Sequence, residues 1–319
     1  MTSVIVKANV NIALIKYWGK RDETLFLPTK SSLSITLDGL GTTMTLSKSS
    51  EDSLKIDKQT ITDEKAEKVL RFISLVRSLY GISDHVAIDS QSTVPVGAGL
   101  ASSASAFSAL AIGLNALFSL NLSPREVAML ARRGSGSACR SILGGFVLWN
   151  KGILDDGSDS DAVQLFPETW WASLRVMVVS ISTKEKIVSS RQGMQETQKT
   201  SPLYAAWVAS DEPLLPKMQV AIERKEFLTL GMLTEQSCFG MHATMLTTNP
   251  PLLYWLSETV EVLNSIFAAR ATGLPCFATI DAGPNVKILV EQQHVPALQA
   301  LLHNHHYTIC SLGEGAQVL

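Results

Sequence analysis

The sequence predicts an α+β fold, because strand patterns and helix patterns follow one another in mixed order. A regular doubly wound sheet would instead need one helix after each strand. The chain has 319 residues, which is long for a single hydrophobic core and indicates two domains or one large one. The polar stretch DDGSDSD (155–161) lies near the middle. We place the division within residues 150–172, which gives domains 1–165 and 166–319.

The first half begins with strand patterns and ends with helices. Residues 4–15 are rich in β-branched side chains, and Asp38, Gly39 and Gly41 indicate a turn between two further strands. Ser123-Pro124-Arg125-Glu126 combines an N-cap serine, an early proline and a capping-box glutamate, which indicates a helix start. The predicted elements are strands at 4–15, 33–37, 42–47, 85–89 and 144–149 and helices at 63–80, 101–118 and 124–134.

The second half contains longer apolar patterns at helical spacing, followed by short strands. A strand opens it after the polar stretch, and a helix separates the last two strands. The predicted elements are strands at 174–182, 276–280, 285–290 and 307–311 and helices near 212–224, 226–246, 251–270 and 296–303.

The bulk composition fits a globular protein without a polyanionic partner. The chain is 46% hydrophobic and 18% charged, with a formal net charge of −2, so nothing favours binding to nucleic acid. The N-terminus does not resemble a signal peptide, and no apolar run is long enough to span a membrane. The cysteines, Cys139, Cys238, Cys276 and Cys310, have no zinc spacing and suit a reducing compartment. We therefore expect a cytoplasmic protein.

The small-residue segment PVGAGLASSASA (95–106) runs directly into an apolar helix. Glycines permit close approach of the backbone to a phosphate, and a helix N-terminus supplies free N–H groups. No lysine follows the second glycine, so this is not a Walker loop. A small-residue helix packed on a neighbour would also account for the composition. The candidate ATP-binding residues are Pro95, Gly97, Ala98, Gly99, Leu100, Ala101, Ser102, Ser103 and Ser105.

Three other segments place charge beside glycine or a strand end. NVNIALIKYWGKR (9–21) ends a strand with three cations, RRGSGSACRS (132–141) presents Arg140 after a flexible loop, and TIDAGPN (279–285) places Asp281 before a tight turn. A guanidinium can bind a carboxylate or a phosphate with two hydrogen bonds, and a carboxylate can accept a proton from an attacking hydroxyl. A surface edge, a helix C-terminus and a turn-capping aspartate are the alternatives for the three segments.

Five segments together resemble the mevalonate diphosphate decarboxylase family of the GHMP kinase superfamily. The loop matches the superfamily pattern Pro-x-x-x-Gly-Leu-x-Ser-Ser-Ala, and the other motifs follow in the family's order over nearly the whole chain. These segments are NIALIKYWGKR (11–21), PVGAGLASSASA (95–106), ARRGSGSACRS (131–141), SSRQGM (189–194) and DAGPN (281–285).

The resemblance implies a GHMP kinase-like fold, with an N-terminal half like ribosomal protein S5 domain 2 and a ferredoxin-like C-terminal half. It implies ATP, Mg²⁺ and a homodimer. The implied reaction converts (R)-5-diphosphomevalonate to isopentenyl diphosphate, ADP, phosphate and CO₂. A related 3-kinase, an enzyme for the 5-monophosphate, another GHMP kinase and a non-catalytic binding protein are the alternatives.

The resemblance also implies roles for individual residues. Asp281 matches the aspartate assigned to the substrate's 3-hydroxyl, Lys16 a lysine near it, and Arg140 the arginine that binds the substrate carboxylate. Ser103 matches the loop serine that contacts ATP phosphates or the metal. For the distal phosphate, Lys65, Lys68 and Arg71 remain open. The implied substrate-binding residues are Tyr17, Trp18, Gly19, Lys20, Ser135, Gly136, Ser137, Ala138, Cys139, Arg140, Met194 and Thr200.

Overall fold

A computed structural model describes residues 2–93, 102–184 and 186–319. Its strands are β1 (Ser3–Ile15), β2 (Lys20–Asp22), β3 (Leu27–Pro28), β4 (Ser32–Ser49), β5 (Ser53–Ile56), β6 (Gln59–Thr60), β7 (His85–Ser92), β8 (Phe146–Trp149), β9 (Ala162–Phe166), β10 (Leu174–Val179), β11 (Cys276–Ile280), β12 (Val286–Glu291), β13 (Tyr307–Cys310) and β14 (Gln317–Val318). Its α-helices are α1 (Glu64–Tyr80), α2 (Ser102–Leu117), α3 (Pro124–Gly134), α4 (Ala138–Ser141), α5 (Ser190–Thr200), α6 (Tyr204–Asp211), α7 (Leu214–Glu223), α8 (Phe227–Leu246), α9 (Ser257–Ala271) and α10 (Val295–Leu301).

The larger sheet has the strand order β14-β1-β4-β7-β5-β6, with β8 and β9 attached beside β4. Its centre is the long antiparallel pair of β1 and β4, which ends at the Ile15–Leu33 pair. Helix α2 packs on both of these strands. Lys16 therefore leaves the sheet at a fixed place, directly after the last pair of β1 with β4.

The predicted turn at residues 38–41 is wrong, because β4 is one continuous strand of 18 residues. Gly39 has a φ of 80°, and the pairing register with β1 shifts between Asn9 and Asn11. A Cβ on Gly41 would lie 2.3 Å from the carbonyl oxygen of Ala8. The glycines thus permit a bulge in a strand whose partner β1 is itself 13 residues long, and they do not end it.

The helices predicted at 63–80 and 124–134 are confirmed to within one residue at each end. Asp63 caps α1, and Gly81 ends that helix with a φ of 65°. Ser123 and Glu126 form the reciprocal capping box of α3. By contrast, α5 and α6 were not predicted as helices, since α5 is largely polar and α6 is only eight residues long. The GSGSACRS segment was expected to be a loop, but its second half forms α4.

The second sheet is antiparallel, with the order β11-β12-β10-β13. One apolar cluster joins the two halves of the chain: Val10 and Ile12 of β1 pack with Val176 of β10 and Leu230 of α8. The C-terminal strand also returns to the first sheet, where Val318 pairs with Val6. The division into 1–165 and 166–319 stays a prediction. Within the described ranges, no helix has both the length and the apolar character needed to cross a bilayer.

Candidate active site

A cavity of about 330 Å³ is lined by residues from both halves of the chain. Its described lining contains one acidic side chain, that of Asp281, and a larger set of basic ones. The basic lining residues are Lys16, Lys20, Lys68, Arg140, Lys186 and Arg191. Such an excess of positive charge in a concave site favours a ligand that carries several negative charges.

Asp281 lies between two buried lysines. It follows β11, and the turn that it begins leads into β12, which carries Lys287. The Nζ atom of Lys16 is 2.7 Å from Oδ1 of Asp281, and that of Lys287 is 3.2 Å from Oδ2. Sequence reasoning missed Lys287. A lysine inside the otherwise apolar run VKILV (286–290), paired with β11, is the signal that could have found it.

The charges of the two neighbouring lysines control the protonation of Asp281. Burial alone would raise the pKa of Asp281, but the ammonium groups of Lys16 and Lys287 outweigh burial and hold the pKa well below its ordinary value. Nearby, burial lowers the pKa of His242 to about 3, and its Nε2 is 3.2 Å from the carbonyl oxygen of Ile280. The site therefore contains an ionised aspartate, and the imidazole that contacts the carbonyl oxygen of the preceding residue is neutral.

Arg140 is buried in α4 and is held by neutral oxygen atoms. Its Nε and Nη2 donate to Oδ1 of Asn11, at 3.3 and 3.2 Å, and its Nη1 donates to Oγ of Ser32 at 2.5 Å. The guanidinium also lies over the Trp149 ring, 5.7 Å from its centroid. Among the described residues, no carboxylate forms an ion pair with Arg140. Because a buried charge needs a partner, Arg140 is suited to an anionic group of a ligand.

Two helix N-termini point into the cavity. Ser102 and Ser103 begin α2, and Oγ of Ser103 lies 3.2 Å from Oγ of Ser135, which links two of the sequence motifs. Ser189, which also lines the cavity, caps α5. Free N–H groups and the positive end of the helix dipole favour phosphate at both places. The predicted ATP contacts Pro95, Gly97, Ala98, Gly99, Leu100 and Ala101 lie outside the described residues.

Most of the predicted substrate residues lie together in the lining. Of the three candidates on α1, Lys68 lines the cavity. The predicted residues that line it are Lys16, Tyr17, Trp18, Lys20, Ser102, Ser103, Ser135, Gly136, Ser137, Arg140, Met194 and Asp281.

Several other predicted residues do not line the cavity. Ser105 is buried, with its Oγ 2.8 Å from Oγ1 of Thr42. Gly19 has a φ of 118° and is covered by the Tyr204 hydroxyl, and Ala138 and Cys139 are buried in α4. The Thr200 hydroxyl is used within the fold: it donates to the carbonyl oxygen of Glu196 and accepts from the N–H of Asn249, at 2.8 and 2.9 Å. The structure therefore does not bring Thr200 to the cavity.

Sequence reasoning also missed two cations on the segment before and within α5. Lys186 donates to Oγ of Ser190 at 2.7 Å and to the carbonyl oxygen of Ala282 at 2.5 Å. Burial lowers the pKa of Lys186 to about 8. Arg191 lies over the Phe26 ring, 5.0 Å from its centroid. The motif SSRQGM (189–194) includes Arg191 but not Lys186, which precedes it in the sequence.

The fold and this site define an enzyme of the GHMP kinase fold that acts on phosphate-bearing ligands. Residues 8–162 match the family model of the diphosphomevalonate decarboxylase-like N-terminal domain, and residues 176–314 match that of the mevalonate 5-diphosphate decarboxylase C-terminal domain. The chain therefore belongs to the diphosphomevalonate decarboxylase family. The α+β, GHMP kinase-like fold expected from the sequence is confirmed.

Individual relatives agree with this assignment. The chain is 38% identical to the diphosphomevalonate decarboxylase of Ganoderma lucidum, over 92% of this chain and 80% of the relative. It is 40% identical to the mevalonate diphosphate decarboxylase from Enterococcus faecalis, with a TM-score of 0.92 and coverage of 100% and 99%. It is likewise 40% identical to a structure of MDDEF in complex with MVAPP, AMPPCP and magnesium, with a TM-score of 0.94 and coverage of 100% and 99%.

Proposed function

We propose that this enzyme uses ATP to decarboxylate (R)-5-diphosphomevalonate, giving isopentenyl diphosphate, ADP, phosphate and CO₂. The observation that carries the proposal is the pairing of Asp281 with Lys16 and Lys287 in the same cavity as Arg140, whose guanidinium has only neutral partners among the described residues. A hydroxyl and a carboxylate of one substrate can thus meet different groups. The remaining cations of the cavity suit a diphosphate and a nucleoside triphosphate.

The first step is phosphoryl transfer to the 3-hydroxyl of the substrate. The oxygen on carbon 3 attacks the γ-phosphorus of ATP, the bond to ADP breaks, and the hydroxyl proton passes to Asp281. A carboxylate held by two ammonium groups is a weak base, so it accepts the proton only as the new P–O bond forms. Lys16 stabilises the negative charge that develops on the transferring group.

The second step is loss of phosphate and CO₂. The bond between carbon 3 and the phosphate oxygen breaks with its electron pair, which builds positive charge on carbon 3. The electrons of the bond to the carboxyl carbon then form the double bond, and CO₂ leaves. Arg140 orients the carboxylate, and the neutral partners Asn11 and Ser32 hold the guanidinium in place. Because its pKa is held well below the ordinary value, Asp281 passes the proton on to water before this step, and its restored negative charge then favours the cationic carbon.

The donor groups around α2 fit magnesium with a nucleotide. Mg²⁺ is bound mostly by phosphate oxygens and water, so it needs few protein ligands, and the Ser103 hydroxyl lies in the lining at the start of α2. Ser103 would hold the metal, and the α2 N-terminus would hold the ATP phosphates. When bound, the metal neutralises charge on the phosphate oxygens. Lys68 and Arg191, which both line the cavity, would bind the distal phosphate of the substrate.

The assay that tests the function supplies purified protein with ATP, Mg²⁺ and mevalonate 5-diphosphate. We expect CO₂ and isopentenyl diphosphate to appear in equal amounts with ADP. Mevalonate and its 5-monophosphate are the control substrates, and activity on the monophosphate alone would reassign the substrate. Release of ADP without CO₂ would contradict the decarboxylase proposal and indicate a 3-kinase.

We expect Ser103→Ala to raise the KM for ATP and the Mg²⁺ requirement more than the KM for the substrate, because the lost hydroxyl lies at the start of α2. Steady-state kinetics at varied ATP, Mg²⁺ and substrate measure the three effects. Ser135→Ala is the matched control, since it removes the other hydroxyl of the same 3.2 Å contact. An effect on the substrate alone would place the nucleotide elsewhere.

We also propose that the protein is a homodimer in the cytoplasm, as its family resemblance implies. Light scattering of the purified protein and fractionation of its source cells test these two statements.

A further inference from the structure

A buried polar network surrounds the backbone of Lys16, outside the cavity lining. Lys16 directly follows β1, where pairing with β4 has ended, so its peptide groups need partners elsewhere. Its N–H donates to Oγ of Ser237 at 2.9 Å, and its carbonyl oxygen accepts from Nζ of Lys30 at 2.7 Å. Lys30 and Ser237 are both joined to Asp211, at 2.8 and 3.1 Å from Oδ2.

Every donor of the Lys30 ammonium is used. An ammonium has three N–H groups, and Nζ of Lys30 contacts Oδ2 of Asp211 and the carbonyl oxygens of Lys16 and Ser31, the last at 3.0 Å. The side chains of Lys30 and Asp211 are 0% and 3% exposed. The network is therefore a closed ring without solvent, which runs from the carbonyl of Lys16 through Lys30, Asp211 and Ser237 to its own N–H.

Stability does not explain this ring. A buried ion pair loses the hydration of both ions, and replacing such a pair with apolar residues is often neutral or stabilising. What the ring does provide is geometry: it fixes both peptide groups of the residue whose Nζ lies 2.7 Å from Asp281. It also connects the halves of the chain, since Lys30 precedes β4 while Asp211 ends α6 and Ser237 belongs to α8.

We propose that Lys30, Asp211 and Ser237 are positioning residues that hold Lys16 against Asp281 for phosphoryl transfer. None of the three touches the cavity, so they act through the Lys16 backbone. The proposal rests on the proposed function for its kinetic consequence. Its structural part, a Lys16 backbone fixed by the ring, stands independently of the substrate.

The test compares Ser237→Ala with the double variant Lys30→Met/Asp211→Asn, which removes both charges together and leaves neither ion unpaired. Single-turnover phosphoryl transfer from ATP should slow by about tenfold to 10²-fold in both, as expected for displaced catalytic groups. The KM values for ATP and substrate should stay near those of the wild type. Ser237→Thr, which restores the hydroxyl, should recover most of the rate.

Thr234→Val is the matched control. Thr234 is a buried residue of the same helix, and among the described residues its hydroxyl forms one hydrogen bond, to the carbonyl oxygen of Leu230 at 2.8 Å. This variant should keep the wild-type rate. If Ser237→Ala and the double variant keep it too, or if Thr234→Val slows as much as they do, the positioning role is overturned.

Hydrogen exchange of the Lys16 amide separates this proposal from the proposed function. The exchange should be faster in Ser237→Ala than in the wild type and in Thr234→Val. A wild type without turnover, together with faster exchange in Ser237→Ala, would reject the proposed function and retain the fixed Lys16 backbone. Unchanged exchange of the Lys16 amide in Ser237→Ala would show that the ring does not fix the Lys16 backbone, and this holds whether or not the wild type is active.

Discussion

We expect Asp281→Asn to lower kcat by about 10²-fold to 10⁴-fold, the contribution of a typical general base, while ATP still binds. The amide keeps the size of the carboxylate but cannot accept the proton or counter the charge of Lys16 and Lys287. Removing one partner of a buried ion pair costs about 3–5 kcal/mol, so the free energy of unfolding should also fall. Steady-state kinetics, nucleotide titration and urea unfolding measure the three effects.

Asp52→Asn is the control for charge removal, because Asp52 is paired with Arg77 far from the cavity lining. It should leave kcat unchanged. Near-normal turnover of Asp281→Asn would refute the role of Asp281 as the base.

The pH dependence has a definite sign. The lysines hold the pKa of Asp281 below its ordinary value of about 3.9. A depressed pKa stabilises the folded state above that value, and the stabilisation is lost as the pH falls through the pKa of the folded state. Unfolding free energies of wild type and Asp281→Asn should therefore differ at pH 7 and converge below about pH 4. An inflection from Asp281 in kcat near neutral pH would contradict this.

We expect Arg140→Lys to lower kcat/KM by about 10²-fold or more, a loss of about 3 kcal/mol at 1.36 kcal/mol for each factor of ten. One ammonium cannot reach both Asn11 and Ser32 and still present a planar pair of donors to a carboxylate. The substrate carboxylate would then be misaligned for loss of CO₂. Separate measurement of ADP and CO₂ should show the deficit mainly in CO₂.

Arg132→Lys is the matched control for this substitution. Arg132 is also buried, but its guanidinium donates to the carbonyl oxygens of Leu25, Gly157 and Ser160. Its replacement should lower the unfolding temperature without selectively decreasing the release of CO₂ relative to ADP. A mild effect of Arg140→Lys on both products would place the substrate carboxylate elsewhere.

The sequence was most informative where local chemistry decides the structure. Ser123 and Glu126 determine the start of α3 with their own side chains, so that boundary was predictable. The motif residues Lys16, Arg140 and Asp281 also meet in one cavity, as the family resemblance implied. The turn predicted at Gly39 and Gly41 was wrong because a glycine permits a bulge as readily as a turn. Only pairing with the long strand β1 decides between the two.

The residues that were missed depend on contacts distant in sequence. Lys287 is one charge in an apolar strand, and its importance appears only when β12 pairs with β11. Lys186 acquires its depressed pKa from burial and from the positive charge of Lys287. Lys30 and Asp211 are separated by most of the first half of the chain and by the division between the halves. No periodicity or local spacing could have joined them.

The return of the C-terminal strand also sets an order of events during synthesis. Val318 pairs with Val6, and the N–H of Ala316 donates to the carbonyl oxygens of Ser141 and Ile142, at the end of the helix that carries Arg140. Until the ribosome has made these residues, β1 keeps an open edge that can pair with another chain. The contact that supports the end of the Arg140 helix therefore forms only after the first half has been made, and a chain that stops before these residues lacks a complete site.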